Sequence, residues 1–478
     1  MPKQIMTHVE AGRQRASVPW TARGTPRLDR VSEQTSTPAA ARIAGSTAAE
    51  IADSVRELID RGHFSPGDPL PPVRALAERL GVNRNTAVAA YRRLARSGAV
   101  VSQGRAGTRV SRPAPPAQEG YAAAGALRDV GTGNPCPALI PDLAPALQSA
   151  AGRPVLYGEA VIDPGFEAWA RSWMAPDVPV EADALRLTLT SGAVDAVERL
   201  LSQALMRDDA IALEDPCFLA SIQTVRLGGY RAVPVPVDAE GMTVEGLRAA
   251  LDQGVRAVVC TPRAQNPTGA SRSAARAAAL REVLAEHPYV LVIEDDYYSM
   301  LSRHPFHTII GPEHRRWALV RSVSKFAGPD LCLAVAATDP RTAERLALRL
   351  GSGTTWVSHL LQRIGHAVLR DPAALALIER AGAHYAARNA DFAGRLARHG
   401  IVVPPGDGLS LWVPVPVPAR QVADRLMRRG WLARTGDEFQ LDPESGPSHH
   451  LRLTVHDLPE ADAEQLAADV AAAAAEAG

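Results

Sequence analysis

Residues 290–298 read VLVIEDDYY and residues 317–325 read WALVRSVSK, and these two stretches decide the fold of most of the chain. Each is a short apolar run that ends in polar or charged residues. Similar runs at 211–213 and 257–260 are separated by stretches with helical patterning. Continuous apolar runs that alternate with helices are typical of a parallel sheet covered on both faces. The sequence therefore predicts a large α/β body over residues 128–478.

Lys325 is unusual because the chain has 52 basic residues and only Lys3 and Lys325 among them are lysines. Arginine can replace lysine in most surface roles, but it does not form a Schiff base at neutral pH. A lysine at the end of a strand, among small hydroxyl residues, suits a cofactor that carries an aldehyde and a phosphate. We therefore expect Lys325 to attach pyridoxal 5'-phosphate (PLP).

Other strand ends supply groups that suit the same cofactor. Residues 294–298 provide carboxylates and phenols, and a carboxylate would keep the pyridine nitrogen of PLP protonated. The segment Thr190-Ser191-Gly192-Ala193 precedes an apolar helical stretch, and helix N-termini bind phosphate. Each signal alone is weak, since acidic runs and single lysines are usually solvated surface features. Their combination along one chain indicates a PLP site.

Residues 44–111 predict a small α+β domain that precedes the body. A helix begins near Thr47, a second helix follows Pro72, and Asn83 caps a third. Residues 100–110 then form a hairpin around a glycine-containing turn. This order is that of a winged helix-turn-helix, whose third helix enters the major groove of DNA.

Basic and acidic residues are distributed unevenly along the chain, although Lys+Arg and Asp+Glu both number 52. Residues 1–112 carry 18 basic and 9 acidic side chains, and the remaining residues carry 34 and 43. A basic head on an acidic body predicts that the head binds a polyanion, namely double-stranded DNA. Residues 1–43 are expected to form a flexible leader, and the Pro- and Ala-rich residues 112–127 a linker.

The composition excludes several other classes of protein. Hydrophobic residues make up 46% and charged residues 22%, as in ordinary globular proteins rather than disordered or fibrous ones. No uncharged apolar run reaches membrane-spanning length, and the N-terminal residues lack the apolar core of a signal peptide. We expect a cytoplasmic protein. No metal site is expected from the spacing of the four cysteines, Cys136, Cys217, Cys260 and Cys332.

The head resembles the GntR-type DNA-binding domain. The resemblance is carried by GHFSPGDPLPPVRALA at 62–77, VNRNTAVAAYRRL at 82–94, Gly98 and the glycine-containing segment 104–110. It implies that the following residues contact DNA: Arg74, Arg84, Thr86 and Gly107.

The body resembles a fold-type I aminotransferase over about residues 130–470. The resemblance implies that Lys325 forms a Schiff base with PLP, that Asp295 pairs with the ring nitrogen, and that Tyr297, or its competitor Tyr298, contacts the ring hydroxyl. The other implied cofactor contacts are Gly192, Ala193, Phe218, Asn266, Ser322 and, from the neighbouring subunit, Tyr157.

Two further positions follow from this resemblance. Arg452, in Leu451-Arg452-Leu453, matches the arginine that binds the carboxylate of a substrate or effector. Cys332 stands where the family usually has an arginine that binds the cofactor phosphate. Its loss removes a charge-assisted contact, and Arg321 or Arg263 are the candidates to replace it.

A GntR-like head joined to an aminotransferase-like body is the architecture of MocR-type transcription regulators. The resemblance implies a homodimeric, PLP-dependent DNA-binding regulator that senses an amine, an amino acid or a form of vitamin B6. Two alternatives remain. One is an active aminotransferase with an accessory head, which steady turnover would reveal. The other is a DNA-binding protein with a purely structural body, which would be colourless.

Overall fold

A computed structural model of the protein describes residues 40–102, 107–111, 127–180, 184–351, 356–404, 406–442 and 445–476. The expected leader and linker therefore lie outside the described residues, except for 40–43 and Leu127. The first three residues of the expected wing turn at 104–107 also lie outside them.

The head is a winged helix-turn-helix, as the sequence predicts. Thr47 caps its first helix and forms a capping box with Glu50, while the Asn83 side chain accepts a 2.8 Å hydrogen bond from the Asn85 amide at the start of the third. Gly81 ends the second helix with φ +66°, a conformation that glycine adopts without strain. The elements are α1 (Ala48–Asp60), α2 (Val73–Leu80), α3 (Arg84–Arg96) and the antiparallel strands β1 (Val100–Ser102) and β2 (Thr108–Val110).

The described part of the body contains three sheets, of eight, three and two strands, and helices pack against the larger two. Its strands are β3 (Arg128–Asp129), β4 (Arg186–Thr190), β5 (Ala210–Asp215), β6 (Arg231–Asp238), β7 (Gly241–Met242), β8 (Ala257–Cys260), β9 (Leu291–Asp295), β10 (Trp317–Ser322), β11 (Ala334–Thr338), β12 (Leu411–Pro414), β13 (Trp431–Leu432), β14 (Arg434–Thr435) and β15 (His450–Leu453). Its helices are α4 (Ala144–Ala150), α5 (Pro164–Met174), α6 (Ala193–Ala204), α7 (Leu219–Gly228), α8 (Val244–Asp252), α9 (Ala274–Ala285), α10 (Ser324–Ala327), α11 (Pro340–Gly351), α12 (His359–Val368), α13 (Pro372–Arg398), α14 (Ala419–Arg428) and α15 (Glu460–Ala475).

The large sheet has the strand order β4-β11-β10-β9-β8-β5-β6-β7. Neighbouring strands from β10 to β6 are parallel, which confirms the expectation for the centre of the sheet. The edge strand β7 and the strand β11, which were not predicted from the sequence, run antiparallel to their neighbours. The physical reason is that β11 follows β10, and β7 follows β6, after connections too short for a parallel crossover.

A smaller sheet, in the order β12-β15-β14, forms the second part of the body. Helices α13, α14 and α15 cover it through a separate apolar core that includes Phe392, Leu451 and Val470. The last of these helices, α15, begins at Glu460 and is rich in alanine. Beside this sheet, β3 pairs in parallel with β13 and leads directly into the segment 130–134.

Adjacent residues of β9 face opposite sides of the large sheet, because strand side chains alternate. Leu291 and Ile293 pack in the core that contains α6 and α7, and Asp295 continues that face. Glu294 faces the other side, where Arg272 donates a 2.5 Å hydrogen bond to it. Both side chains of this ion pair are buried.

Glu294→Gln should lower the free energy of unfolding by about 3 kcal/mol, because it leaves the Arg272 guanidinium buried without its charged partner. Urea unfolding followed by tryptophan fluorescence measures this change. The matched control is Glu313→Gln, whose ion pair with Arg315 is solvent-exposed and should cost less than about 0.5 kcal/mol. Equal losses in the two variants would contradict the prediction.

Candidate cofactor site and DNA-binding surface

Strand pairing brings the sequence-predicted site segments to one edge of the large sheet. Thr190, the last residue of β4, lies opposite Ala334, which in turn lies opposite Ser322 at the end of β10. Asp295 at the end of β9 lies opposite Val320. The carboxyl ends of these strands therefore meet, which is where ligands bind in open α/β sheets.

A narrow cleft opens at this edge. Lys325, in the short helix α10 that follows β10, lines it and donates a 3.2 Å hydrogen bond from Nζ to the carbonyl of Gly133. Asn266, Tyr297 and Arg452 line the same cleft. Four of the side chains singled out from the sequence are thus brought together.

Asp295 lies close enough to Lys325 for the two charges to interact, and it is only 8% exposed. Its Oδ1 has no hydrogen-bond partner among the described residues. Burial, with the nearby carboxylates of Asp296 and Glu214, raises the pKa of Asp295 to about 7. A buried carboxylate with an unsatisfied oxygen favours a cationic donor, so it fits the protonated nitrogen of a pyridine ring.

The two adjacent tyrosines have different environments. The Tyr297 hydroxyl donates a 2.7 Å hydrogen bond to the carbonyl of Ala264 at the wall of the cleft. Tyr298 is fully buried in the apolar core, and burial raises the pKa of its phenol well above the usual value. The geometry therefore favours Tyr297 over Tyr298 as the residue that reaches a ligand.

Arg452 is buried and makes several contacts at the cleft. Its guanidinium donates to the carbonyl of Gly131 at 2.6 Å and to Oδ1 of Asn266 at 3.3 Å, and it lies 5.0 Å above the ring of Phe439. Gly133 has φ +64°, and a Cβ there would lie 3.1 Å from Nη2 of Arg452. The sequence analysis missed Gly133, although the Gly-Thr-Gly-Asn run at 131–134 was a signal for a close backbone approach.

The expected phosphate cradle forms at the start of α6. Gly192 has φ +96° and precedes the helix, which begins at Ala193. Cys332 lies beside it, with Sγ 3.2 Å from the carbonyl oxygen of Ser191, and a Cβ on Gly192 would be 3.6 Å from Sγ. The Ser322 hydroxyl accepts a 3.2 Å hydrogen bond from the Ser324 amide at the adjoining end of β10.

Arg321 and Arg263, the two alternatives for the missing arginine at position 332, both contact another group. Both bind the buried carboxylate of Asp296, Arg321 through Nε at 2.8 Å and Arg263 through Nη2 at 2.6 Å. Burial alone would raise the pKa of Asp296, but the two guanidiniums hold it below its usual value.

Several expected cofactor contacts are not among the residues that line the described cleft: Gly192, Ala193, Phe218, Asp295, Ser322 and Tyr157. Phe218 is half-buried at the start of α7, beyond the carboxyl end of β5. Tyr157 is 88% exposed, and its ring lies 5.3 Å from that of Trp356. Its role from a neighbouring subunit remains a prediction.

The expected DNA contacts lie on the surface of the head. Arg84 is exposed and Thr86 is half-buried in the first turn of α3. Gly107, exposed with φ +86°, immediately precedes β2. Arg74 forms a 3.0 Å ion pair with Glu78, but both side chains are exposed, so DNA phosphate can compete for the guanidinium at little cost.

Comparison with known proteins agrees with both halves of this architecture. Residues 47–110 match the gntR family of bacterial regulatory proteins, and residues 127–470 match aminotransferase class I and II. The vitamin B6 salvage pathway transcriptional repressor PtsJ of Salmonella typhimurium is 46% identical over 429 residues, which cover 90% of this chain and 98% of PtsJ. The probable rhizopine catabolism regulatory protein MocR of Rhizobium meliloti is 25% identical, over 52% of this chain and 56% of MocR. The chain belongs to the MocR-type transcriptional regulators.

The body of this MocR-type regulator has the fold of aminotransferases. Its structure is similar to that of kynurenine aminotransferase from Pyrococcus horikoshii, with a TM-score of 0.66 and 20% identity. The similarity covers 74% of this chain and 92% of that enzyme, and at this identity it shows the fold alone. In the described part of the regulator, no helix has the length and apolar character needed to cross a membrane.

Asp295→Asn should stabilise the cofactor-free regulator at alkaline pH. The folded protein holds the Asp295 proton more tightly than the unfolded chain does, so wild type loses stability as the pH rises from about 4 to about 7. The variant should therefore exceed wild type in free energy of unfolding by about 2 kcal/mol more at pH 8 than at pH 5. Urea unfolding at both pH values tests this. The control Asp53→Asn alters an exposed carboxylate and should show no such pH dependence; a pH-independent effect of Asp295→Asn would refute the prediction.

Arg84→Ala should weaken binding to an operator selected from random DNA by about 1–3 kcal/mol and relax specificity at one base pair, if the side chain pairs with a guanine. Arg315→Ala removes an equally exposed charge from the body and serves as control. Fluorescence anisotropy on the operator and on random DNA measures both. Equal losses of affinity for the operator and for random DNA would indicate that Arg84 contacts phosphate. Unchanged affinity for both would indicate that Arg84 does not contact DNA.

Proposed function

We propose that the protein is a cytoplasmic, PLP-dependent transcriptional regulator. Its head, residues 44–111, would bind operator DNA, and its body, residues 128–478, would sense an amine, an amino acid or a form of vitamin B6. One observation carries the proposal: the chain's only body lysine, Lys325, lines the cleft and lies close enough to interact with the buried carboxylate of Asp295, whose Oδ1 has no hydrogen-bond partner among the described residues. The 46% identity to a repressor of vitamin B6 salvage supports it.

The residues at the cleft have complementary tasks in this proposal. Lys325 would hold the cofactor covalently, and Asp295 would keep a proton on its ring nitrogen. Tyr297 and Asn266 would contact the ring oxygen, Phe218 would stack on the ring, and the cradle of Gly192, Ala193 and Ser322 would bind the phosphate. When bound, PLP supplies an aldehyde carbon that exchanges reversibly between amines.

The contacts of Lys325 suggest how ligand binding in the body would affect the head. Lys325 and Arg452 donate to the carbonyls of Gly133 and Gly131, respectively. These glycines lie a few residues after the expected linker, on the segment that continues from β3. Attachment of PLP to Lys325 would remove the first contact, because Nζ would then bond to the cofactor, and an effector carboxylate that recruits Arg452 would remove the second. The segment would then be free to shift, and the linker with it.

A homodimer is part of the proposal because the site of one chain lacks the contact expected from Tyr157. Tyr157 is exposed, as are the apolar side chains of Leu156 and Leu360, which are 67% and 58% exposed. A second copy of the chain would cover these side chains and carry its own Tyr157 to the neighbouring cleft. The body has an aminotransferase fold, and we propose that it serves sensing rather than steady turnover.

Paired titrations test the proposed regulator. Operator affinity should change about 5- to 150-fold on saturation with PLP, and PLP affinity should change by the same factor on saturation with operator. Lys325→Ala should abolish borohydride trapping of PLP and leave an operator affinity that no longer responds to the cofactor. Steady keto-acid production from an amino acid would instead support the enzyme, and two flat titrations would exclude a coupled sensor.

A further inference from the structure

The cradle at the start of α6 presents neutral donors to its ligand. The groups that the structure places there are the backbone amides at the helix N-terminus, the hydroxyls of Ser322 and Ser324, and the thiol of Cys332. Burial and the nearby carboxylates of Asp195 and Asp330 raise the pKa of Cys332, so its sulfur is a protonated thiol at neutral pH. Position 332 therefore offers no positive charge to a phosphate.

Acidic side chains lie close to this cradle. Asp195, in the first turn of α6, accepts a 3.0 Å hydrogen bond from the Ser191 amide. Its other oxygen accepts from Nε of Arg199 at 2.6 Å, so this arginine is already paired with a carboxylate of the protein. Because the Ser191 amide donates to Asp195, it is not available to donate to a bound anion. The local electrostatics thus oppose a dianionic group more than they oppose a neutral hydroxymethyl group.

Asp295 and Lys325, by contrast, offer groups that suit the rest of the cofactor. The buried oxygen of Asp295 and the amine of Lys325 would recognise the ring nitrogen and the aldehyde, which every B6 aldehyde carries whether or not it is phosphorylated. Recognition by this chain is therefore concentrated on the ring and the aldehyde, away from the phosphate.

We propose that the site binds the unphosphorylated aldehyde pyridoxal with an affinity within about 100-fold of that for PLP, and that Cys332 is the residue that sets this specificity. The inference rests on the proposed function, since it concerns the same site. It makes free pyridoxal, and not PLP alone, a ligand to which the regulator responds.

The exposed position of Cys332 makes the proposal testable by adding the missing charge. The side chain borders solvent, so a longer residue can extend over Ser191 without displacing the core. A guanidinium there would form charge-assisted, bidentate hydrogen bonds with a phosphate and gain nothing from a hydroxymethyl group. Contacts of this strength would raise the affinity for PLP about 10- to 100-fold and would leave the affinity for pyridoxal unchanged.

The experiment is a pair of titrations of the full-length protein with PLP and with pyridoxal, followed by absorbance and by mass spectrometry after borohydride trapping. The measured quantity is the ratio of the two dissociation constants. Pyridoxal closes to a hemiacetal in solution, but that correction is identical for every variant and cancels when ratios are compared. 5-Deoxypyridoxal, which cannot close, serves as a second unphosphorylated probe.

Wild type should prefer PLP by less than about 100-fold, and Cys332→Arg should raise this preference at least tenfold by tightening PLP binding. Cys332→Ser, the matched neutral variant, should keep the wild-type ratio. Cys332→Lys supplies a second cation should the arginine variant fold poorly. A wild-type preference above 100-fold, or a ratio that neither cation changes, overturns the proposal. The proposed function fails separately, if neither aldehyde is trapped or if trapping persists in Lys325→Ala.

Discussion

The carboxylate of Asp295 is buried at the end of β9 with an oxygen that no described residue satisfies, and the site is built around that constraint. Its neighbours Glu294 and Asp296 are equally buried, but each is bound by arginine. An unpaired buried carboxylate costs free energy unless it takes up a proton or receives a cation. Arginine side chains therefore neutralise Glu294 and Asp296, and in our proposal the carboxylate of Asp295 pairs with a ligand instead.

The alternation of β9 makes this division possible. Glu294 and Asp296 share the face on which Arg272, Arg263 and Arg321 lie, whereas Asp295 shares the face of α6 and the phosphate cradle. A shift of one residue in register would exchange the faces and bring two acids to the cleft. The arginines therefore help to fix the register of the strand that carries the functional carboxylate.

Much of the architecture could be predicted because its signals are local. The caps at Thr47 and Asn83, the apolar runs of the strands and the rarity of lysine are all visible in the sequence. The antiparallel β11 could have been inferred from its short connection to β10. The pairing of Arg263 and Arg321 with Asp296, by contrast, joins residues more than 20 positions apart on a buried face, and apolar patterning carries no information about it. Tyr157 and Phe218 were matched by motif alone, and the cleft of a single chain contains neither.

The direction of β11 also determines the chemistry of the cradle. Because β11 returns antiparallel between β10 and β4, the residues just before it pass over the loop that precedes α6. Position 332 therefore lies against Ser191 for topological reasons, whichever side chain it carries. The fold thus places residue 332 beside the start of α6, and in our proposal the side chain there decides whether a phosphate is recognised. On that proposal, a regulator and an enzyme that share this fold would differ through one side chain in the ligand they select.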